Sequence, residues 1–157
     1  MMPMRYIVVT ILLICSTCLP AQVEIARIRS AESPFRQTRT SAMLLTPQQV
    51  TGQFGYIAPD SISWQYQENA AIRIPQQMLQ LIRQSVSGDV MAIQRNFQME
   101  WEGCKLTLRP SKKQIQRFFR LIRIEFTLAG VAKTVELVEP NGDKTEIEFT
   151  NMKYELL

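Results

Sequence analysis

Two-residue alternation of apolar and polar side chains runs through the second half of this chain and limits its fold more than any other feature. Residues 122–128 alternate in this way, and residues 134–139 and 144–150 repeat the pattern on either side of Pro140-Asn141-Gly142-Asp143. Successive side chains of a strand point to opposite faces of a sheet, so each segment is typical of a strand with one apolar and one solvated face. Because Asn-Gly between two such segments predicts a hairpin, we expect antiparallel pairing here.

Further strands are expected earlier in the chain. Residues 35–45 predict a first strand, and residues 50–67 predict two more around a turn at Pro59. Residues 97–102 and 105–110 predict another hairpin. With about eight strands and connections mostly too short for a crossover helix, the fold class is mainly β with an antiparallel sheet.

Two helices are also expected. In residues 22–33 the apolar side chains recur at loosely helical spacing, with Glu24 early and Arg29 late, as the helix dipole favours. Residues 75–86 predict an amphipathic helix, which Gly88 ends. The apolar face of this second helix carries Met78, Leu79, Ile82 and Val86.

Residues 1–21 differ from the rest of the chain. Arg5 is their only charge, and the apolar run from Tyr6 to Ile14 is too short to cross a bilayer. These properties predict a signal peptide that is cleaved after Ala21. The remaining residues, 22–157, have the length and apolar content of one domain with a single core.

A membrane anchor is the alternative interpretation of this first segment. It has two forms, an uncleaved helix or lipidation at Cys18, although Thr17 occupies the position where a lipidation box has Gly or Ala. After cleavage, Cys104 is the only cysteine, so no intramolecular disulfide is expected.

The residues that carry most enzymatic chemistry are scarce. The chain has no histidine, which removes the usual general base and the usual zinc ligand. The carboxylate pairs Glu100 with Glu102 and Glu146 with Glu148 share solvated strand faces. No glycine-rich loop precedes a helix. We therefore expect a protein that is not an enzyme, without catalytic residues, cofactor or metal.

Charge argues against nucleic acid as a partner. The formal net charge is +4, but the basic side chains are scattered and alternate with acids in the final third of the chain.

Aromatic side chains are concentrated on the alternating segments. A sheet with such a face needs helices or a ligand to cover it, and a face of this kind also packs a protein's own core. Periodicity alone leaves both readings open. The side chains concerned are the aromatic Phe54, Tyr56, Trp64, Phe97 and Trp101, with the apolar Met99 among them.

Three of these segments together resemble the LolA family of periplasmic lipoprotein carriers. They are Phe35-x-Gln37, the segment GQFGYIAPDSISWQY at 52–66, and the closing hairpin VELVEPNGDKTEIEF at 135–149. The second is similar to the family pattern Gly-x-Phe-x-Tyr-x-x-Pro-x-x-Ile-x-Trp-x-Tyr. Their order and the expected signal peptide extend the resemblance over nearly the whole of residues 22–157.

The resemblance implies an incomplete antiparallel barrel, or half-barrel, that helices cover. It implies a periplasmic chaperone, peripheral to membranes and monomeric, that takes lipoprotein acyl chains from an inner-membrane release complex towards the outer membrane. The helix at 75–86 is then the lid. The acyl-chain cavity implied in this way is lined by Phe54, Tyr56, Ile62, Trp64, Met78, Leu79, Ile82, Phe97, Met99, Trp101, Leu106 and Leu108.

Two positions depart from the family pattern. Ala58 stands before the core proline, where the family has a basic residue that helps to hold the lid, and Arg39 and Arg73 are the candidates to replace it. Residues 67–74 are shorter than the corresponding family segment, which carries a hairpin. A binding or sensing module without lipid transport, which engages a protein partner at an exposed edge strand, is therefore the alternative function.

Overall fold

The computed structural model describes residues 22–67 and 73–157. Its strands are β1 (Ile28–Thr40), β2 (Gln48–Ile57), β3 (Ser61–Tyr66), β4 (Phe97–Glu102), β5 (Lys105–Pro110), β6 (Leu121–Phe126), β7 (Ala132–Val138), β8 (Lys144–Phe149) and β9 (Lys153–Leu156). Its helices are α1 (Gln76–Ser87), α2 (Val90–Asn96) and α3 (Lys113–Gln116).

All nine strands belong to one antiparallel sheet that does not close into a barrel. The order is β3-β2-β1-β8-β7-β6-β5-β4, so β3 and β4 are the two edges. The long strand β1 has β2 along one side, while β8 and then β9 share the other side. The expected fold class, an open antiparallel half-barrel with helices, is confirmed.

One face of the sheet carries the core. Strand residues that alternate inward, such as Phe35, Ile124 and Ile147, are almost fully buried. The chain passes from edge strand β3 to edge strand β4 through α1 and α2, and α1 packs against β1 and β7. This helix therefore lies across the middle of the apolar face.

The opposite face of the sheet is polar. Arg36 of β1 pairs with Glu148 of β8, and Arg123 of β6 pairs with Glu136 of β7. The hydrogen bond and charge of Glu148 raise the pKa of the Arg36 guanidinium. The predicted alternation of one apolar and one solvated face is thus present in the central strands.

The predicted hairpins and the predicted helix at 75–86 are confirmed. β2 pairs with β3, β4 with β5 and β7 with β8. Helix α1 ends at Gly88, whose φ of 76° is left-handed and whose added Cβ would lie 2.4 Å from the Ala26 carbonyl oxygen. The basic segment 111–117 contains the short helix α3.

The prediction of a helix at residues 22–33 is wrong. Residues 22–27 have no regular structure, and β1 begins at Ile28 and continues through Pro34. The first half of β1 is paired on both sides, with β9 and with β2, so two ladders of hydrogen bonds outweigh a weak helical pattern. β1 also ends at Thr40 rather than near residue 45, and α2 and β9 were not predicted.

Three sequence-based predictions fall on residues outside the described ranges. These are the signal peptide at 1–21, its cleavage after Ala21 and the alternative lipidation at Cys18. Residues 68–72, the middle of the short segment, also lie outside. Across the described ranges, no helix has the length and apolar character needed to cross a membrane.

Candidate functional site

Aromatic side chains from β1 and β3 meet on the inner face of the sheet. The Phe35 ring stacks on Trp64 with a centroid distance of 3.9 Å and an interplanar angle of 23°. Tyr66 meets Phe35 edge to face at 5.6 Å. Together with Phe54 and Phe149, these rings form what we call the aromatic cluster.

Gly52 makes this stacking possible. It is the β2 residue paired with Phe35 on one side and with Tyr66 on the other. A Cβ on Gly52 would lie 2.5 Å from Cζ of Phe35 and 2.1 Å from the carbonyl oxygen of Gln65. The missing side chain lets the Phe35 ring cross β2 and reach Trp64.

Polar groups continue the same contact towards α1. The Tyr66 hydroxyl donates a hydrogen bond to Oε1 of Gln37 over 2.9 Å. The same hydroxyl accepts one from the backbone N–H of Ile74 over 3.2 Å. Tyr66 therefore joins β1 to the segment that leads into α1.

Gln37 is a polar residue inside the core. Its side chain is fully buried, and its Nε2 has no hydrogen-bond partner among the described residues. Leaving a buried donor unpaired costs about 1–3 kcal/mol. Such a group in a native core is a candidate for contact with a ligand or an ordered water.

Gln37 borders a cleft of about 400 Å³ at the start of α1, which we call the arginine cleft. The volume is within the range of about 300–1,000 Å³ that is usual for ligand pockets. Its apolar lining is Ile74, Pro75, Met78, Phe118, Phe119 and Leu137. Its polar lining includes Gln37, Arg39, Arg73, Arg117, Glu139, Asn141 and Thr145.

The three guanidinium groups of this cleft are not equivalent. Arg39 is held by Glu139 over 3.1 Å and by Asp143 over 3.2 Å. Arg73 and Arg117 are exposed and form no ion pair with a carboxylate in the described ranges. The cleft therefore has an excess of positive charge beside an apolar lining.

A second cavity, the outer groove, lies on the solvated face near β3. It measures about 760 Å³ and is bordered by strands β1, β2, β3 and β9. Its lining is mainly small or polar, with Ser30, Ser61, Ser63, Gly55 and Lys153 among the residues.

The twelve residues assigned to the cavity are distributed over α1 and four strands of the sheet. Those on β2 and β3 lie at one edge of the sheet and those on β4 and β5 at the other, with β1, β8, β7 and β6 between them. Of the twelve, Met78 lines the arginine cleft, and the backbones of Phe54 and Tyr56 run beside the outer groove. Leu79 is half-exposed, and Leu81 takes a place in the buried face of α1.

The turn that contains Ala58 is nevertheless connected to the helix. A guanidinium nitrogen of Arg83 in α1 donates to the Pro59 carbonyl oxygen over 3.4 Å, and the Tyr56 hydroxyl donates to the same oxygen over 3.3 Å. Here the helix supplies the basic residue and the turn supplies the acceptor. Arg39 and Arg73, the candidates from the sequence, line the arginine cleft instead.

Sequence reasoning named the parts of the arginine cleft without joining them. Gln37 belongs to the Phe-x-Gln element, and Arg117 to the basic segment 111–117. The sequence did contain one sign of the cleft. Gln37 lies two residues after inward-facing Phe35 on the same strand, and a polar side chain on a core face requires a partner.

Metal chemistry has no obvious place in the described part of the chain. Within residues 22–67 and 73–157, no three His, Cys, Asp or Glu side chains are grouped closely enough to hold a metal ion. The arrangement can bind an apolar chain and an anion.

No protein-family model matches this chain, and no curated protein matches its sequence. Among solved structures, it is similar to a LolA superfamily protein from Nitrosomonas europaea, with a TM-score of 0.39 and 9% identity over 85% of this chain and 90% of that one. It is also similar to an outer membrane lipoprotein-sorting protein domain from Vibrio parahaemolyticus, with a TM-score of 0.28 and 9% identity over 80% of this chain and 85% of that one. Both overlaps are loose.

Proposed function

We propose that this chain is a periplasmic carrier that binds the acyl chains of lipoproteins between the sheet and α1 and passes them towards the outer membrane. The observation that carries the proposal is the arginine cleft, which opens between the first turn of α1 and the apolar face of the sheet. Met78 belongs both to this cleft and to the core, so the cleft leads into the apolar layer under the helix.

In the structure described here, α1 itself fills the apolar layer. Met78, Leu81, Ile82 and Val86 are all buried against the sheet. A lipoprotein cargo therefore enters by displacing part of α1, with the arginine cleft as the starting point.

The energies of this exchange are comparable. Burial of one apolar side chain stabilises by about 1.5–3 kcal/mol, so the four side chains of α1 contribute roughly 6–12 kcal/mol. An acyl chain of about 16 carbons gains roughly 12 kcal/mol at about 0.8 kcal/mol per methylene. Because burial of α1 and burial of an acyl chain stabilise by similar amounts, the helix can be displaced when cargo binds and can return when cargo leaves.

Acyl-chain binding is the direct test. The purified protein is extracted and analysed by mass spectrometry for co-bound acyl chains, and a fluorescent fatty acid is titrated into delipidated protein. Met78→Trp fills the inner end of the cleft and is expected to lower probe affinity by about tenfold or more.

Leu128→Trp is the matched control, because Leu128 is 90% exposed in a loop and the same ring there leaves the cleft open. Circular dichroism checks that both variants remain folded. Absence of acyl chains from the extract together with no probe binding would overturn the carrier function.

A protein-binding module is the second candidate function. Edge strand β3 pairs only with β2 among the described strands, and the outer groove runs along its solvated face. An extended segment of a partner protein that adds to this edge is the mode of binding that such an edge supports.

Charges placed in the groove test this alternative without touching the core. Ser61→Glu with Ser63→Glu changes two exposed positions of β3. Loss of a partner's binding in this variant, with acyl-chain binding retained, favours the module over the carrier. Loss of acyl-chain binding in this variant contradicts the placement of cargo on the inner face.

A further inference from the structure

We infer that the arginine cleft recognises the anionic head of a single-chain amphiphile, a carboxylate or a phosphate, while the chain lies on the apolar lining. This inference rests on the acyl-chain binding of the proposed function. It adds a second class of ligand, a free anionic amphiphile, because the ester- and amide-linked chains of a lipoprotein carry no anionic head. The residues that we expect to contact the head group are Arg73, Arg117 and Gln37.

Charge is the first argument. Arg39 is already occupied by Glu139 and Asp143, so it positions the wall of the cleft rather than binding cargo. Arg73 and Arg117 form no ion pair with a described carboxylate and line the cleft from two different segments. Guanidinium groups beside a poorly solvated lining bind oxyanions more strongly than they do on an open surface.

The amide of Gln37 is the second argument, and it is independent of charge. The Tyr66 hydroxyl donates to Oε1, and Nε2 has no acceptor among the described residues. Gln37 lines the cleft although its side chain is 0% exposed. When the ligand displaces part of α1, as proposed for cargo entry, an oxygen atom of its head group can reach Nε2 and supply the missing acceptor.

The apolar lining is the third argument. Met78, Phe119 and Leu137 are buried and border the same cleft as the arginines. Inorganic phosphate would make no use of these side chains, and a neutral acyl ester would make no use of the guanidinium groups. A molecule with a charged head and one acyl chain uses both sets.

Binding of matched probes tests the inference by calorimetry on the purified, delipidated protein. The probes are dodecanoate, dodecyl phosphate, the uncharged dodecanol, and acetate or inorganic phosphate without a chain. The two charged amphiphiles are expected to bind at least about tenfold more tightly than dodecanol, and the short anions are expected to bind far more weakly than either. The ratio of the carboxylate to the phosphate affinity identifies the preferred head group.

Two variants assign the binding to the named residues. Arg73→Gln with Arg117→Gln should reduce the affinity for the charged amphiphiles by about tenfold or more and leave dodecanol binding unchanged. Gln37→Glu retains an acceptor for Tyr66 and places a carboxylate where Nε2 stood, so it should weaken the charged amphiphiles selectively. Arg95→Gln with Arg109→Gln is the control, since it removes the same charge from exposed positions that do not line the cleft.

The outcomes separate this inference from the carrier function. Equal affinities for dodecanoate and dodecanol, or equal losses in the cleft and control variants, would overturn the head-group inference and leave the carrier function standing. Tight binding of acetate or inorganic phosphate would also overturn it, because the chain would then be unnecessary. Failure of every chain-bearing probe to bind would remove the carrier function itself.

Discussion

The two halves of the sheet are built from different side chains. Strands β1, β2 and β3, together with Phe149 at the end of β8, carry the aromatic cluster, and β3 is only half-buried on its inner face. Strands β5, β6 and β7 carry mainly branched aliphatic side chains, of which Leu108, Ile122 and Ile124 are fully buried, and one aromatic ring, Phe126. The difference suggests two tasks: we expect the aliphatic half to contribute mainly stability, and the aromatic half to contribute shape and the polar contacts that reach the arginine cleft.

The aliphatic half should show the largest loss of stability on truncation. Ile124→Ala is expected to lower the free energy of unfolding by about 2–5 kcal/mol, because Ile124 is completely buried. Ile62→Ala on half-buried β3 is the matched variant, with an expected loss of about 1 kcal/mol. Urea denaturation measures both, and equal losses would contradict the division between the halves.

Gly52 tests whether the aromatic half depends on shape. Gly52→Ala should destabilise by about 1–3 kcal/mol, because the added Cβ meets the Gln65 carbonyl oxygen at 2.1 Å and main chain yields poorly. The control is Gly55→Ala in the same strand, where the nearest atom, Cβ of Ser63, is at an ordinary 3.5 Å. Near-ultraviolet circular dichroism should lose signal from Trp64 in the first variant only, and an unchanged spectrum there would argue against the stacking.

Tyr66 tests the link between the aromatic half and α1. Tyr66→Phe removes the hydrogen bonds to Gln37 and Ile74, with an expected cost of about 1–2 kcal/mol. Hydrogen exchange should accelerate in the first turn of α1 while β6 stays protected. Tyr154→Phe, at a side chain that is 40% exposed, is the control, and the same acceleration in that variant would show that Tyr66 does not anchor the helix.

Arg83 should show the smallest effect. Arg83→Gln removes an exposed, long contact to the Pro59 carbonyl oxygen, so the free energy of unfolding is expected to change by under about 0.5 kcal/mol. Hydrogen exchange in the middle of α1 should still be faster than in the unsubstituted protein, because the helix loses its hydrogen bond to the β2–β3 turn. Arg95→Gln serves as the reference, and identical exchange in the two variants would remove Arg83 as a lid contact.

Local signals were sufficient for much of this fold. The hairpin around 140–143, the hairpin of β2 and β3, and helix α1 follow from turn residues and periodicity within short windows. The prediction of an N-terminal helix failed because the structure there depends on a distant partner. Residues 28–32 are strand because β9 pairs with them from more than 120 positions away in sequence, and no local window contains that partner.

The candidate site was predictable only in part for a similar reason. Periodicity assigned Trp64 and Trp101 to inward faces, and it contained no information that β3 and β4 are opposite edges of one sheet. The arginine cleft brings together Gln37, Arg73 and Arg117 from three distant segments, so its charge excess exists only in the folded chain. The buried glutamine was the one local sign of it.

The pairing of β1 with β9 also sets the order in which this molecule can be completed. Strand β1 is 13 residues long, and its first part bonds to residues 153–156 while its last part bonds to β8. A chain emerging from the ribosome, or crossing a membrane, therefore reaches its full sheet only after residue 156 is free to pair. Such long-range closure makes folding slow relative to helical proteins. We therefore expect a folding intermediate in which the hairpin of β2 and β3 has formed while its apolar face is still exposed. A chaperone that holds unfolded chains would bind this intermediate.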